Sequence, residues 1–203
     1  MVADEGSGSA FPLTIQLREG TKSLHAEAEG SGVVAEILHG RVERPAYALL
    51  LRNLLPVYQQ MELGLERLRA SPAIAPIALP EVYRTRALEA DLAGIAGPNW
   101  RKDLAILPAA QHYAERVAAS AAADGTLLPA HAYVRYLGDL NGGQVLKRLL
   151  SRSLRLDDAS LSFYEFAEIA DLEAFKRRFR AALDLVGCQS ADLDAIEIGR
   201  AHV

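Results

Sequence analysis

One cysteine, one tryptophan and two methionines are spread over 203 residues, and the chain lacks both a surplus of positive charge and a long apolar run. Each shortage excludes a class of protein. Cys188 has no second thiol in the chain to pair with, so there is no disulfide framework, and a reducing compartment, the cytoplasm, is expected. A bilayer span needs roughly 18–20 consecutive apolar residues, and no membrane segment is expected here. With a net charge of −4, nothing in the electrostatics favours nucleic acid as a partner. The opening MVADEGSGSAF is acidic and rich in Gly and Ser, unlike a signal peptide; residues 1–12 are expected to be a disordered lead-in. Neither a flavin nor a nicotinamide fingerprint is present. The double glycine at 142–143 is not followed by Lys-Ser/Thr, so it is no phosphate loop. Paired Glu-x-x-His repeats of the di-iron bundle kind are also missing.

What the chain has is apolar content and helical period. Half of its residues are hydrophobic and 24% are charged, enough for one substantial core. Helices are predicted over Thr14–Glu29, Val33–Leu38, Pro45–Leu68, Glu81–Ile95, Pro108–Ala123, Pro129–Leu154 and Asp171–Val186, and no stretch alternates as a strand. Pro45 suits a first helical position. Pro56, inside the same helix, predicts a kink or a broken ladder. The segment SPAIAPIALP (71–80) reads as a loop. Apolar stripes on so many helices need one another, so the expected fold is a single compact all-α domain. The preference for Arg over Lys, with abundant Ala, points to a GC-rich bacterial genome.

The most unusual stretch is YLGDLNGGQ (136–144), a helical segment carrying three glycines and an acid. Each glycine costs about 0.5–1 kcal/mol against Ala in a helix interior, so Gly138, Gly142 and Gly143 together give up roughly 2–3 kcal/mol. Such a concession fits a ligand pressed onto bare backbone, close helix–helix packing through Gly138 and Gly142, or a turn at Gly142-Gly143. Only the first gives Asp139, between the glycines, a reason to be there.

A second pattern lies on the first helix. Arg18, Lys22, His25 and Glu29 are spaced 0, 4, 7 and 11, which places them in one narrow stripe. Two cations, an imidazole and a carboxylate in line suit a ligand with anionic ends and a metal, His25 ligating and Glu29 orienting its ring. The same spacing also describes a solvated face with i,i+4 charge pairs. Lys176 and Arg180 repeat the basic pair on the last helix, either as plain surface charge or as a second clamp for carboxylates. The remaining histidines carry less. His39 and His131 lie near predicted helix ends, where a dipole-favoured or surface imidazole is expected.

With these residues in view, the chain resembles the haem oxygenase family. The resemblance runs through LREGTKSLHAEAE (17–29), SPAIAPIALPE (71–81), ALEADLAGIAGPNW (87–100), AHAYVRYLGDLNGGQVLKRL (130–149) and FKRRFR (175–180), collinear over residues 14–187. It implies haem b as both substrate and cofactor, sandwiched between a proximal helix at about 14–29 and a kinked distal helix at about 129–154. His25 is then the iron ligand, with Glu29 as the candidate partner of its ring. Gly138 and Gly142 let the distal helix lie almost on the porphyrin, and Gly143 belongs with the haem-binding residues. Asp139 stands off the iron and holds a water of a proton network that Tyr58, Tyr113 and Arg135 support. Arg18, Lys22, Tyr133, Lys176 and Arg180 match positions on the propionate side. The implied reaction is O2-dependent opening of haem to biliverdin with release of CO and ferrous iron. Electrons come from a separate ferredoxin, flavodoxin or reductase, and a monomer is expected.

Two departures accompany the resemblance. Asn141 stands where many relatives carry Ser, with a modest effect expected on ligand contacts. The closing EIGRAHV (197–203) matches a sequencing adapter read as codons, so a non-native tail is expected, with residues 13–196 forming a domain that lacks its C-terminal helix. The alternative to an enzyme is a haem carrier of the same fold that binds without turnover, and a third reading is a helical interaction protein. Asp139 with its flanking glycines favours the enzyme, because a carrier needs only the ligand and the clamp.

Overall fold

The computed structural model describes residues 11–189, and among these every regular element is helical. The expected lead-in before residue 11 and the expected tail and missing helix after residue 189 lie outside the described residues. Helix α1 (Leu13–Gly30) leads to α2 (Gly32–Leu38), and the long α3 (Arg44–Arg67) follows. Next come α4 (Thr85–Ala96), the single turn α5 (Trp100–Asp103) and α6 (Pro108–Ala122). The distal segment is built from α7 (Leu128–Ala132), a π turn at Tyr133–Leu137, α8 (Gly138–Asn141) and α9 (Gly143–Leu154). The last helix is α10 (Leu172–Gln189). None of these helices is long and apolar enough to cross a membrane.

The core forms around α3, which packs against α4 and α6. Tyr47, Leu51, Tyr58, Met61 and Leu65 present one buried face of it. Contact with α6 is close at Gly64, where a Cβ would fall 2.5 Å from that of Ala121. Pro56 does not interrupt α3, which runs on for more than two further turns. The burial of Leu55, Val57 and Tyr58 on either side of the proline holds the helix together there.

The helix expected from Glu81 starts instead at Thr85, after a 3-10 turn at Pro80–Val82. Its cap comes from a distant residue. Glu62 on α3 accepts the backbone N–H groups of Arg84 at 2.5 Å and Thr85 at 3.1 Å, satisfying donors that a helix start leaves unpaired. At the other end of the fold, α1 is anchored by its first turns. Leu13 and Leu17 pack with Ala130 and Tyr133, and the Thr14 N–H donates to Asp184 Oδ1 on α10 at 2.8 Å.

The expected distal helix spans the anticipated range, and its irregularity is the π turn; at Gly142 the backbone stays helical, its N–H donating to the Gly138 carbonyl at 2.9 Å. One extra residue in the turn rephases the side chains that follow, a feature common at functional sites. Helix α9 stops at Arg155, whose φ of 53° is left-handed.

Candidate functional site

Asp139 is the centre of a polar cluster between α3 and the distal segment. Tyr58 Oη donates to Asp139 Oδ2 at 2.5 Å, and the Tyr58 side chain is fully buried. Burial pushes the Asp139 carboxyl up to about 7, although the Tyr58 hydrogen bond, Arg135 and Arg84 all pull it down. The phenol of Tyr58 is raised well above its ordinary value by burial and by the Asp139 charge. Asp139 is therefore a carboxyl able to hold or release a proton near neutral pH.

Arg135 lies one turn before Asp139, so the two share a face of the distal segment. Its guanidinium carbon is 5.9 Å from the centroid of the Tyr113 ring. Burial works to lower the Arg135 pKa, and Tyr113, Tyr58 and Asp139 outweigh it, leaving it raised. Arg135 Nε is buried without a hydrogen-bond partner among the described residues, a group that asks for a water or a ligand. Tyr113 completes the cluster through His131: Tyr113 Oη and His131 Nδ1 are 3.4 Å apart, and the rings lie 5.6 Å apart between centroids. Here the expectation of a surface imidazole at a helix end is corrected. His131 is 3% exposed, and burial, with Arg116 and Arg135 adding to it, lowers its pKa to about 4. It is a neutral packing partner of Tyr113.

The three glycines divide by surroundings. A Cβ added at Gly138 would meet nothing within 4 Å, and at Gly142 only the Gly138 carbonyl oxygen at 3.5 Å. Both are exposed, so neither serves packing against another helix. Gly143 is different: it is buried, and a Cβ there would fall 2.9 Å from Tyr164 Cδ1. Its bareness serves contact with Tyr164, inside the protein, while the exposed face belongs to Gly138 and Gly142.

On α1, His25 and Glu29 are exposed, with Nδ1 3.6 Å from Glu29 Oε1. Lys22 is exposed on the same helix. Helix α1 packs against the distal segment through Leu13 and Leu17 near its N-terminal end, and from Lys22 to Gly30 its residues are open to solvent. The basic residues gather near Tyr133: Arg180 and Arg18 both act on its hydroxyl, opposed by Asp184 and Glu19, while burial raises its pKa overall. Lys176 is only 9% exposed and is ion-paired to Glu173 on its own helix. The cluster is thus mixed in sign.

Arg84 was not singled out from sequence. It is buried, yet Asp139 and Glu62 both feel its charge. No local pattern marks it, because its partners lie far along the chain.

The residues fit a flat group with an acidic edge and a central metal: an open imidazole, a Cβ-less helix face, two arginines beside Tyr133 and an unpartnered buried guanidinium nitrogen. These features define an all-helical protein with a glycine-faced distal segment and a half-buried acid beside it. The family model "Heme oxygenase" matches residues 11–197. "Heme oxygenase 1" of Synechocystis is 42% identical over 184 residues, covering 91% of this chain and 77% of the relative. "Heme oxygenase 1" of Homo sapiens is 38% identical over 175 residues, covering 85% of this chain and 61% of the human protein. Among solved structures, heme oxygenase from Leptospira interrogans superposes with a TM-score of 0.87 at 37% identity, covering 94% of this chain and 93% of that one. Heme oxygenase-1 from Synechocystis in complex with heme gives 0.83 at 39% identity, covering 95% and 89%. The chain belongs to the haem oxygenase family.

Proposed function

We propose that this chain is a haem oxygenase that opens haem to biliverdin, releasing CO and ferrous iron, with O2 and electrons supplied from outside. Haem, as substrate and cofactor together, supplies the iron that activates oxygen. His25 is the residue that would ligate that iron, with Glu29 approaching the Nδ1 side of its ring. Arg18, Lys22, Tyr133, Lys176 and Arg180 would hold the propionates; Lys176 must leave Glu173 to take part. The exposed backbone at Gly138 and Gly142 offers the close approach, and Gly143 supports it from inside against Tyr164.

One observation carries the reading: a carboxyl with a pKa near 7, held by a buried phenol, next to a helix face without side chains. Asp139 stores a proton where the ligand lies, Tyr58 fixes which oxygen of the carboxyl faces inward, and Arg135 over Tyr113 keeps positive charge beside both. A carrier gains nothing from a proton reservoir at that point. The partner is a ferredoxin, flavodoxin or reductase, and the setting is the cytoplasm, with the chain acting as a monomer.

The test is to load the protein with haem and add ascorbate, or ferredoxin with its reductase, in air. Decay of the Soret band with biliverdin identified by HPLC is expected. A Soret band that persists without biliverdin assigns the carrier role, and failure to form a Soret band on haem addition removes haem as the ligand.

A further inference from the structure

Two charged residues behind the site are buried, and neither makes a close ion pair among the described residues, although the Arg84 charge acts on Asp91, Glu62 and Asp139. Asp91 on α4 is 0% exposed. It accepts the N–H groups of Ser162 and Phe163, each at 2.9 Å, and the Ser162 hydroxyl. Arg84 is 7% exposed. It donates to the Glu165 carbonyl at 2.5 Å, to Val82 at 3.1 Å and, at 3.5 Å, to Phe163. Its guanidinium also lies 4.2 Å over the Phe166 ring. Burying a charge costs several kcal/mol unless hydrogen bonds replace its water. Asp91 directs all three of its bonds at one irregular stretch, residues 162–165, and Arg84 directs two of its four there, the other two going to the Val82 carbonyl and, at 3.3 Å, to that of Glu81 beside it.

That stretch touches the site from behind. The Phe163 ring meets Tyr58 edge-on, centroids 5.6 Å apart. Tyr164 fills the space beside Gly143, and its carbonyl accepts from Gln144 Nε2 at 2.8 Å. Glu62, one turn along α3 from Tyr58, accepts the backbone N–H of Arg84 itself. The contacts close a ring from Tyr58 through Glu62 and Arg84 to residues 163–165, on to the distal segment and back to Tyr58 through Asp139.

We propose that Arg84 and Asp91 are positioning residues: by clamping residues 162–165 they set the separation of α3 and the distal segment, and with it the Tyr58–Asp139 hydrogen bond. The proposal rests on the haem oxygenase reading for its consequence, but its geometry is testable without haem.

The experiment places 3-fluorotyrosine at position 58 of the full chain and records its fluorine NMR signal in haem-free protein for the parent, Arg84→Lys, Asp91→Asn and Ser162→Ala. Arg84→Lys keeps the charge and loses the fork. Ser162→Ala removes one hydrogen bond and leaves no new charge buried, so it serves if the others fail to fold. Asp139→Asn gives the reference signal for a weakened bond. The folded variants are expected to move the signal toward that reference. In the haem complexes, biliverdin formed per haem consumed should fall about tenfold, as a misplaced site demands, with haem affinity near the parent's. An unmoved fluorine signal in folded variants overturns the proposal. So does a moved signal with undiminished biliverdin yield. If the parent itself makes no biliverdin, the enzyme reading fails, and the fluorine shifts alone decide whether the clamp exists.

Discussion

Tyr58 on α3 and Asp139 on the distal segment are 81 residues apart in sequence and 2.5 Å apart between oxygens. The bond gives the carboxyl a fixed donor in a site whose burial lifts its pKa to about 7. In the unfolded chain an Asp titrates near 3.9. Between those values the folded state binds a proton that the unfolded state lacks, so this residue's contribution to stability is complete below about pH 4 and is lost as the pH rises to about 7. At 1.36 kcal/mol per unit the loss has a ceiling of about 4 kcal/mol. Urea unfolding of haem-free protein from pH 4 to 8, compared with Asp139→Asn, should show the parent losing stability relative to the variant across that window. Parallel curves would remove the shifted carboxyl.

Tyr58→Phe should leave the fold intact and change the titration. The phenol lowers the Asp139 pKa by donating to it, so its removal raises that pKa further. The pH profile of biliverdin formation is then expected to move to higher pH, by about one unit or less. Stability should fall by about 1.5–3 kcal/mol, the range for a hydrogen bond to a charged group. Initial rates from pH 6 to 9 check the direction, and a shift to lower pH would contradict the arrangement.

Helix content and order were legible because the apolar spacing repeats locally; the starts and ends of α1, α2 and α6 follow from Gly and Pro punctuation. The start of α4 was not, since its cap is Glu62, 22 residues upstream. Nor was the π turn at Tyr133–Leu137, which the apolar period does not distinguish from regular helix. In the site, YLGDLNGGQ marked the acid and the bare helix face, while the different surroundings of Gly138 and Gly143 depend on Tyr164, a residue brought in by the chain fold. His131 reads as a helix-end residue and lies buried against Tyr113, because α6 covers it. Long-range packing is the common cause of the misses at α4, Gly143 and His131.

The same glycine contrast yields opposite outcomes for one substitution. Gly138→Ala adds a methyl group into open space and should stabilise haem-free protein by up to about 1 kcal/mol through helix propensity, while weakening haem binding because the methyl would stand on the proposed ligand face. Gly143→Ala drives a methyl to 2.9 Å from Tyr164 and should cost about 1–3 kcal/mol. Thermal melts without haem and Soret titrations separate the two effects. Gly138→Ala that binds haem as the parent does would place the ligand elsewhere.

His25 is 69% exposed at its side chain, so His25→Ala removes little packing and should leave the melting temperature of haem-free protein nearly unchanged. Its effect belongs to the ligand. If the proposed iron-ligating nitrogen is gone, haem should still enter through burial of its ring, but with an altered Soret maximum and biliverdin formation down by about a hundredfold or more. Free imidazole is small enough to occupy the space vacated by the side chain, and adding it should restore the parent spectrum and part of the rate. Glu29→Gln supplies the finer comparison: with its charge gone but its shape kept, it should weaken the donor strength of His25 without removing the ligand, giving a smaller spectral change and a loss of about tenfold. An unchanged Soret maximum and full turnover in His25→Ala would assign the iron to another residue, and with it the orientation of haem against α1.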